Sequence, residues 1–293
     1  MPEGRRLPPW LKVKMPGGPN YLELREMLRG NELHTVCEEA NCPNIGGCWE
    51  RRTATFMILG DICTRACAYC AVTSGAPTGL DLQEPVRLAE TVVRMGLKYA
   101  VITSVNRDDL PDGGAFMFAQ CIQQIRKRHP TCKVEVLIPD FEGNWAALAT
   151  VMAAVPDTLN HNIETVRRVF HRVRPKGVYD QSLELLSRAK ALDNSAVTKS
   201  GMMVGLGETW DEIIDTMRDL RSVDCDLLTI GQYLRPSEKH VALARWYTPG
   251  EFEELKREAE SLGFRHVASG PLVRSSYHAD EQHAAATGST VAV

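Results

Sequence analysis

Three features are missing from this sequence of 293 residues, and each absence excludes a class of protein. No apolar run approaches the roughly eighteen residues that a membrane-spanning helix needs, so we expect no membrane segment. The amino-terminal stretch MPEGRRLPPWLKVK lacks the apolar core of a secretory signal, which predicts a cytoplasmic protein. A net charge of -3 indicates no broad positive surface, so nucleic acid is not an expected partner.

A fourth absence concerns the cysteines, because six of the nine lie in two groups of three and neither group has a fourth member. The groups are Cys37, Cys42 and Cys48 in a C-x4-C-x5-C run, and Cys63, Cys67 and Cys70 in a C-x3-C-x2-C run. A structural zinc site is closed by four ligands, usually as two close pairs. A [4Fe–4S] cluster bound by three thiolates leaves one iron open for another ligand. Spacing and a reducing compartment therefore favour iron–sulfur over zinc or disulfides, both of which stay open as alternatives.

The rest of the composition is that of an ordinary globular core. Apolar residues make up 44% of the chain and charged residues 24%. Cys121, Cys132 and Cys225 are isolated in the sequence, so we expect them to be small buried hydrophobic residues rather than ligands.

After Arg52 the chain alternates between short β-branched runs and helical patterns. Strands are predicted at 53–60, 98–105, 133–140, 158–165, 198–207 and 227–234. Helices are predicted at 84–96, 114–128, 144–155, 179–193, 209–223 and 248–263. This alternation predicts an α/β fold with a parallel sheet. About six strands suit an open, partial TIM-type barrel, with a doubly wound sheet as the alternative.

The predicted barrel spans 53–263 and leaves an extension at each end. The amino-terminal extension, 1–52, carries the first cysteine group. The carboxy-terminal extension, 264–293, carries the motif RSSY, and its tail after Asp280 reads as disordered.

Polar or glycine-rich residues follow every predicted strand. The first strand runs into the C-x3-C-x2-C loop, and later strands end in SVNRDD, NHNIE and GLGE. The carboxyl ends of parallel strands meet at one rim, where barrel enzymes place their active sites. We therefore expect the second cysteine group to lie in the active site.

A cluster with an open iron at such a rim suits S-adenosylmethionine, whose amino and carboxylate groups can chelate the iron. Reductive cleavage would then give methionine and a 5′-deoxyadenosyl radical, while the protein supplies orientation and excludes side reactions. The strand ends and the cysteine loop offer side chains that could hydrogen-bond the cofactor, and a glycine that allows close approach. The candidate contacts are Tyr69, Ser104, Asn106, Asn162, Glu164 and Gly205.

These motifs together resemble a known family. C-x3-C-x2-C with Tyr69 before its last cysteine is the signature of radical S-adenosylmethionine enzymes. Across VCEEANCPNIGGCWE, TSVNRDDLPDGGA, NHNIETV and VRSSYHAD, nearly the whole chain is similar to the lipoyl synthases. The resemblance implies that the second triplet binds the S-adenosylmethionine cluster and the first an auxiliary [4Fe–4S] cluster. It also implies Ser276 as the fourth auxiliary ligand, with Ser275 as the fallback, and gives Ser276 a catalytic role as the ligand that is released.

The reaction implied by the resemblance is the insertion of two sulfurs at C6 and C8 of an octanoyl chain. That chain is amide-linked to a lysine of a lipoyl carrier protein, of the glycine-cleavage H protein type or a 2-oxoacid dehydrogenase lipoyl domain. Two S-adenosylmethionine molecules are consumed, and the auxiliary cluster donates the sulfur. The further partners implied are a flavodoxin- or ferredoxin-type reductant and an iron–sulfur carrier protein.

Other functions remain as alternatives. A biotin synthase or methylthiotransferase type of enzyme also uses a second cluster as its sulfur source. A two-cluster electron-transfer protein is a weaker alternative, because ferredoxins complete their clusters with four thiolates and are far shorter. A zinc-stabilised barrel with hydrolytic chemistry is the third.

Overall fold

One open sheet dominates the computed structural model, which describes residues 7–13, 16–31, 33–40, 42–50 and 55–289. The strands of this main sheet are β1 (His34–Thr35), β2 (Thr55–Ile58), β5 (Tyr99–Ser104), β6 (Lys133–Leu137), β7 (Thr158–Asn160), β8 (Val197–Val204), β9 (Leu227–Gln232) and β10 (His266–Gly270). A small second sheet consists of β3 (Ile62–Cys63) and β4 (Thr73–Ser74). The main sheet has the order β1-β2-β5-β6-β7-β8-β9-β10. Every neighbouring pair is parallel except β1 with β2, which is antiparallel.

Helices connect the strands and flank both ends of the sheet. They are α1 (Pro19–Gly30), α2 (Val36–Glu39), α3 (Ile45–Glu50), α4 (Glu84–Met95), α5 (Ala115–Arg128), α6 (Trp145–Ala153), α7 (Arg167–Val173), α8 (Tyr179–Leu192), α9 (Trp210–Ser222), α10 (Pro249–Ser261) and α11 (Ala279–Thr287), with 3-10 turns at Pro9–Leu11 and Phe141–Gly143.

Local sequence signals explain where these helices begin and end. In α4, Leu88, Val92 and Met95 recur at helical spacing and are buried, so this face packs on the sheet. The helix ends at Gly96, whose φ of 63° is the left-handed conformation that glycine adopts most easily. Both α9 and α10 begin with a capping box, in which a threonine and the glutamate three residues later exchange hydrogen bonds.

The predicted partial barrel is confirmed, and the sheet contains two strands that the sequence pattern did not indicate. These are β1, of only two residues, and β10, which joins the far edge from what we assigned to the carboxy-terminal extension. The fourth predicted strand, 158–165, is shorter than expected, because regular pairing stops at Asn160. Beyond it, Glu164 returns to the sheet as a single bridge to Met202. Positions 53 and 54 of the first predicted strand lie outside the described residues.

The barrel interior contains a buried ion pair between β6 and β8, the strands on either side of β7. The Lys199 ammonium lies 3.0 Å from a carboxylate oxygen of Glu135, and both side chains are fully buried. The same carboxylate accepts hydrogen bonds from the Asn160 amide at 3.0 Å and the Tyr99 hydroxyl at 2.9 Å. The buried carboxylate therefore has both a lysine partner and two further hydrogen-bond donors, which is what a buried ion pair needs to offset the loss of water.

The predicted disorder after Asp280 is wrong for positions 281–287, which belong to α11, and positions 290–293 lie outside the described residues. Gln282 and His283 are buried, although the polar and alanine-rich composition of the segment suggested exposure. The Nδ1 atom of His283 lies 2.9 Å from the Thr158 hydroxyl, and its ring packs 5.7 Å from the ring of Tyr99. Thr158 and Tyr99 begin their strands, so α11 covers the amino-terminal end of the barrel.

Replacing Lys199 by methionine tests the ion pair. Lys199→Met should lower the free energy of unfolding by about 3–5 kcal/mol, since it leaves the Glu135 carboxylate buried without a counter-charge. Urea denaturation monitors the change. The matched control is Arg218→Ala, which removes an exposed pair with Asp215 and should change stability by less than about 1 kcal/mol. Equal stability of Lys199→Met and the wild type would contradict the account.

Candidate active site

The second cysteine group lies on a loop at the carboxyl ends of the strands. After β2 the chain turns through Leu59 and Gly60, which have φ values of 70° and 85°. The loop is held to neighbouring elements by its backbone: the Thr64 N–H donates to the Asn106 carbonyl at 3.0 Å and the Ala68 N–H to the Val173 carbonyl at 2.9 Å. The structure therefore places this loop at the rim where the strand pattern predicted it.

The thiols of this loop have the surroundings of metal ligands. The Cys63 sulfur accepts hydrogen bonds from the backbone N–H groups of Arg65 and Asn106, at 3.4 and 3.3 Å. Burial raises the pKa of Cys67 to about 12 and that of Cys70 to about 11. A thiol with so high a pKa stays protonated near neutral pH unless a cation compensates the thiolate. Soft thiolates beside N–H donors match the donor set of an iron–sulfur cluster.

The thiols of each triplet lie close enough for their charges to interact, but they do not form a ready-made set of ligands. In the portion of the chain that is described, no three His, Cys, Asp or Glu side chains meet where a metal ion could be held. The ligand roles of both triplets therefore remain predictions, supported by residue type, burial and hydrogen bonding.

A buried charge network fixes the loop to the strand ends. The Arg65 guanidinium donates to both oxygens of Asp108 at 2.8 Å and lies 2.7 Å from Asp140. Arg174 also approaches Asp140, at 3.4 Å, and donates to the Asn162 carbonyl at 3.1 Å. Burial alone would raise the pKa of Asp140, but the hydrogen bonds and charge of Arg65 bring it down to about 2. The sequence did not indicate Arg65 or Arg174; the one available signal was an arginine inside a C-x3-C loop.

Three of the predicted cofactor contacts are brought together beside this network. The Asn162 amide donates to Glu164 at 3.2 Å, and the Tyr69 hydroxyl also hydrogen-bonds that carboxylate. Burial raises the pKa of Glu164, and burial likewise raises that of Tyr69. Glu164 has a φ of 67°, a conformation that non-glycine residues rarely adopt and that often marks functional positions.

Several oxygens at this rim are available to a bound molecule. The Ser104 hydroxyl, the Asn106 amide oxygen and the Asn162 amide oxygen are buried and make no hydrogen bond to any described residue. Buried polar atoms are normally paired, so such atoms indicate a ligand or water partner. An ammonium group and ribose hydroxyls would supply the missing donors, and these residues therefore fit S-adenosylmethionine.

Gly205 has a different environment from the one we expected. Its φ is 103°, and a Cβ there would lie 2.3 Å from the Gln232 amide nitrogen and 2.7 Å from the Arg245 carbonyl. Its N–H donates to Glu208 at 2.6 Å. Protein groups fill this space, so the glycine is explained by packing, and a cofactor contact at this position stays a prediction.

A segment after β9 covers the cysteine loop, and no sequence motif indicated it. The Val241 N–H donates to the Ala68 carbonyl at 2.8 Å, and the His240 Nε2 atom lies 2.9 Å from the Cys70 carbonyl. The Tyr233 hydroxyl donates to the Val241 carbonyl at 2.8 Å and holds the segment in place.

Two residues of the first cysteine group lie on short helices, and the third, Cys42, lies in the connection between them. Cys37 is in α2, which Thr35 caps by accepting the Glu38 N–H, and Cys48 is in α3. Burial raises the pKa of Cys37 to about 12, against the opposing effect of the Thr55 N–H, which hydrogen-bonds its sulfur. The same fit to a soft, positively charged centre therefore applies here.

The RSSY segment lies against this group, although more than two hundred residues separate them. Asn44, between Cys42 and Cys48, donates to the Leu272 carbonyl at 2.7 Å. The two serines point to different partners: Ser276 accepts from the Thr55 hydroxyl at 2.7 Å, and Ser275 accepts from Asn162 at 2.8 Å. Because Thr55 also hydrogen-bonds the Cys37 sulfur, Ser276 is linked to the first triplet through one residue, and its role as a ligand stays a prediction.

The isolated cysteines are buried, as expected. Cys121, Cys132 and Cys225 are all in the interior.

Among the described helices, none has the length and apolar character needed to cross a bilayer.

Solved structures share this fold at low sequence identity. HydG, a maturase of the [FeFe]-hydrogenase, is 15% identical with a TM-score of 0.55, over 77% of this chain and 61% of its own. Streptococcus suis SuiB, bound to its precursor peptide SuiA, is 10% identical with a TM-score of 0.56, over 72% of this chain and 47% of its own. Residues 57–220 match the model of the Radical SAM superfamily, and the barrel with its cysteine loop is a radical S-adenosylmethionine fold.

More similar relatives narrow this class. Residues 2–42 match the N-terminal domain of lipoyl synthase. The lipoyl synthase of Symbiobacterium thermophilum is 60% identical over 281 residues, covering 96% of this chain and 88% of the relative. That of Bacillus cytotoxicus is 57% identical over 290 residues, covering 99% and 97%. The chain belongs to the lipoyl synthase family, which confirms the resemblance drawn from its motifs, and it is a radical S-adenosylmethionine enzyme.

The pH dependence of stability tests the buried rim. Burial, together with the charge of Arg174, lowers the pKa of His161 to about 4, although Asp140 opposes this. In the unfolded state the His161 side chain keeps a pKa near 6.5, so between about pH 6.5 and 4 the unfolded state binds a proton that the folded state does not bind. The free energy of unfolding therefore falls as the pH drops through this range.

We expect a loss of about 2 kcal/mol in unfolding free energy between about pH 7 and pH 5 from this residue. His161→Gln should remove that part of the pH dependence in urea denaturation. His129→Gln, at the half-buried residue that follows the end of α5, is the control and should keep the part of the pH dependence that His161 supplies. A His161→Gln profile as steep as the wild type would contradict a neutral buried imidazole.

Proposed function

We propose that this chain inserts two sulfur atoms, at C6 and C8, into an octanoyl chain carried on a lysine of a lipoyl carrier protein. The family membership supports the reaction, and the carrier is of the glycine-cleavage H protein or 2-oxoacid dehydrogenase type. The observation that carries the proposal is the separation of the two cysteine triplets. One lies at the barrel rim near Glu164, which hydrogen-bonds Asn162, and the other is linked to Ser276 through Thr55.

In this proposal each triplet holds one [4Fe–4S] cluster. Cys63, Cys67 and Cys70 would hold the cluster that binds and reductively cleaves S-adenosylmethionine. Tyr69, Glu164 and Asn162 form one hydrogen-bonded group that would accept the cofactor's ammonium and ribose hydrogens. Ser104 and Asn106 add unpartnered oxygens, and the segment at His240 limits the access of water to the loop.

The auxiliary cluster would be held by Cys37, Cys42, Cys48 and Ser276, and would supply the sulfur. A serine oxygen is a harder ligand than a thiolate and is less suited to soft iron–sulfur chemistry, so its bond to iron is the one expected to break. A flavodoxin- or ferredoxin-type protein is the proposed electron donor, and an iron–sulfur carrier protein the proposed source of replacement clusters. Biotin synthase and methylthiotransferase chemistry lose support, because the relatives throughout the chain's length are lipoyl synthases.

Iron counting tests the two-cluster assignment. Anaerobic reconstitution should give about eight irons per chain, since each cubane cluster has four. The triple variant Cys63→Ala, Cys67→Ala, Cys70→Ala should keep about four and release no 5′-deoxyadenosine from S-adenosylmethionine with a reductant and an octanoyl-lysyl peptide. Cys121→Ala is the control and should keep the full iron content and activity. Loss of both clusters in the triple variant would contradict independent sites.

The Ser276→Cys variant tests the fourth ligand. A thiolate should bind the same iron more firmly, so the variant should keep its cluster but stall after the first sulfur insertion. Mass spectrometry of the peptide would show a singly sulfurated product. Ser275→Cys is the comparison, because its hydroxyl faces Asn162 instead. Full conversion to the doubly sulfurated product by Ser276→Cys would rule out Ser276 as the releasable ligand.

A further inference from the structure

Thr55 contacts both halves of the auxiliary site. Its backbone N–H donates to the Cys37 sulfur, and its hydroxyl donates to the Ser276 oxygen at 2.7 Å. The two partners come from distant parts of the chain, and Ser276 alone is 221 positions after Thr55. No motif indicated this threonine.

The position of the Thr55 hydroxyl is well determined by its surroundings. Thr55 begins β2 and pairs with Val101 on β5, so its backbone is held in the sheet. It is only 6% exposed, and a β-branched side chain has few rotamers available. The hydroxyl is therefore directed at one acceptor, without competition from bulk water.

We propose that Thr55 is a positioning residue that makes the bond between Ser276 and iron easier to break. The inference rests on the proposed function, in which Ser276 is the fourth ligand of the auxiliary cluster. A hydrogen bond donated to a ligand atom withdraws electron density from it, and such bonds tune metal sites from outside the coordination shell. When the iron–oxygen bond breaks, the electron pair stays on the serine oxygen, and the Thr55 O–H stabilises the negative charge that develops there.

The hydrogen bond serves two ends of the catalytic cycle. In the intact site this hydrogen bond would hold the Ser276 oxygen on the side of Cys37, where the iron would be bound. After release it gives the serine a partner other than iron, so that the oxygen is not left buried and unpaired.

Iron release in the dark, without substrate, tests the proposal independently of activity. The background is the triple variant Cys63→Ala, Cys67→Ala, Cys70→Ala, so that only the auxiliary cluster is reconstituted. A coloured ferrous chelator then reports the rate at which the first iron leaves. Thr55→Val keeps the shape and removes the donor, and it should slow this rate by about tenfold, in line with the loss of one hydrogen bond to a charged group.

Three further variants separate the explanations. Thr55→Ser retains the hydroxyl and should release iron within about twofold of the parent rate. Thr91→Val, which removes a buried hydroxyl that donates to the Arg87 carbonyl of its own helix, should do the same. Ser276→Cys should slow release because it replaces the ligand itself.

The outcomes distinguish the inference from the function on which it rests. If Ser276→Cys slows release and Thr55→Val does not, the role of Thr55 is overturned and Ser276 stands as the ligand. If Ser276→Cys leaves the rate unchanged, the ligand assignment fails and the inference fails with it. Thr55→Ser behaving like Thr55→Val, or Thr55→Val failing to retain about four irons after reconstitution, would also overturn the inference.

Discussion

The site depends on one buried guanidinium. Arg65 stands between two cysteines of the rim loop and holds Asp108 and Asp140, which follow two neighbouring strands. Asp140 in turn meets Arg174, whose second contact is the carbonyl of Asn162. Removing one partner from such a network leaves an uncompensated buried charge, so the loop, the strand ends and the cofactor-side residues are fixed together. A radical generator needs this rigidity, because its reactivity is controlled by orientation.

The second constraint is the joining of the chain's two ends at the first cysteine triplet. Asn44 binds the backbone of the RSSY segment, and Ser276 and Ser275 then diverge toward Thr55 and Asn162. The serine pair therefore links the two proposed cluster sites by direct hydrogen bonds. In the proposed function the rim site would generate radicals and the first-triplet site would supply sulfur, and two adjacent serines contact residues of both sites. In the proposal, the position without a fourth cysteine admits S-adenosylmethionine at the rim site and is occupied by Ser276 at the first-triplet site.

Much of this could be predicted from the sequence, because its strongest signals are local. Strand and helix periodicity located the barrel, and cysteine spacing located both candidate cluster loops. The failures arise from contacts distant in sequence. The polar segment of α11 reads as disordered until His283 meets Thr158, and β1 is too short to show a period. The roles of Arg65, Arg174 and Thr55 depend on partners that are distant in the sequence, so no local pattern indicates them. Gly205 has a backbone conformation that suits a ligand site, but the groups beside it are Gln232 and Arg245.

The central claim is that the auxiliary cluster, and not an external sulfide, is the source of both product sulfurs. Reconstitution with ³⁴S-labelled sulfide, followed by removal of free sulfide and one round of turnover on an octanoyl-lysyl peptide, measures this directly. The account predicts a lipoyl product that carries the heavy isotope at both C6 and C8, formed while the iron bound by Cys37, Cys42 and Cys48 is lost and the iron bound by Cys63, Cys67 and Cys70 is retained. A product with natural-abundance sulfur, or a first-triplet cluster that survives turnover intact, would contradict it.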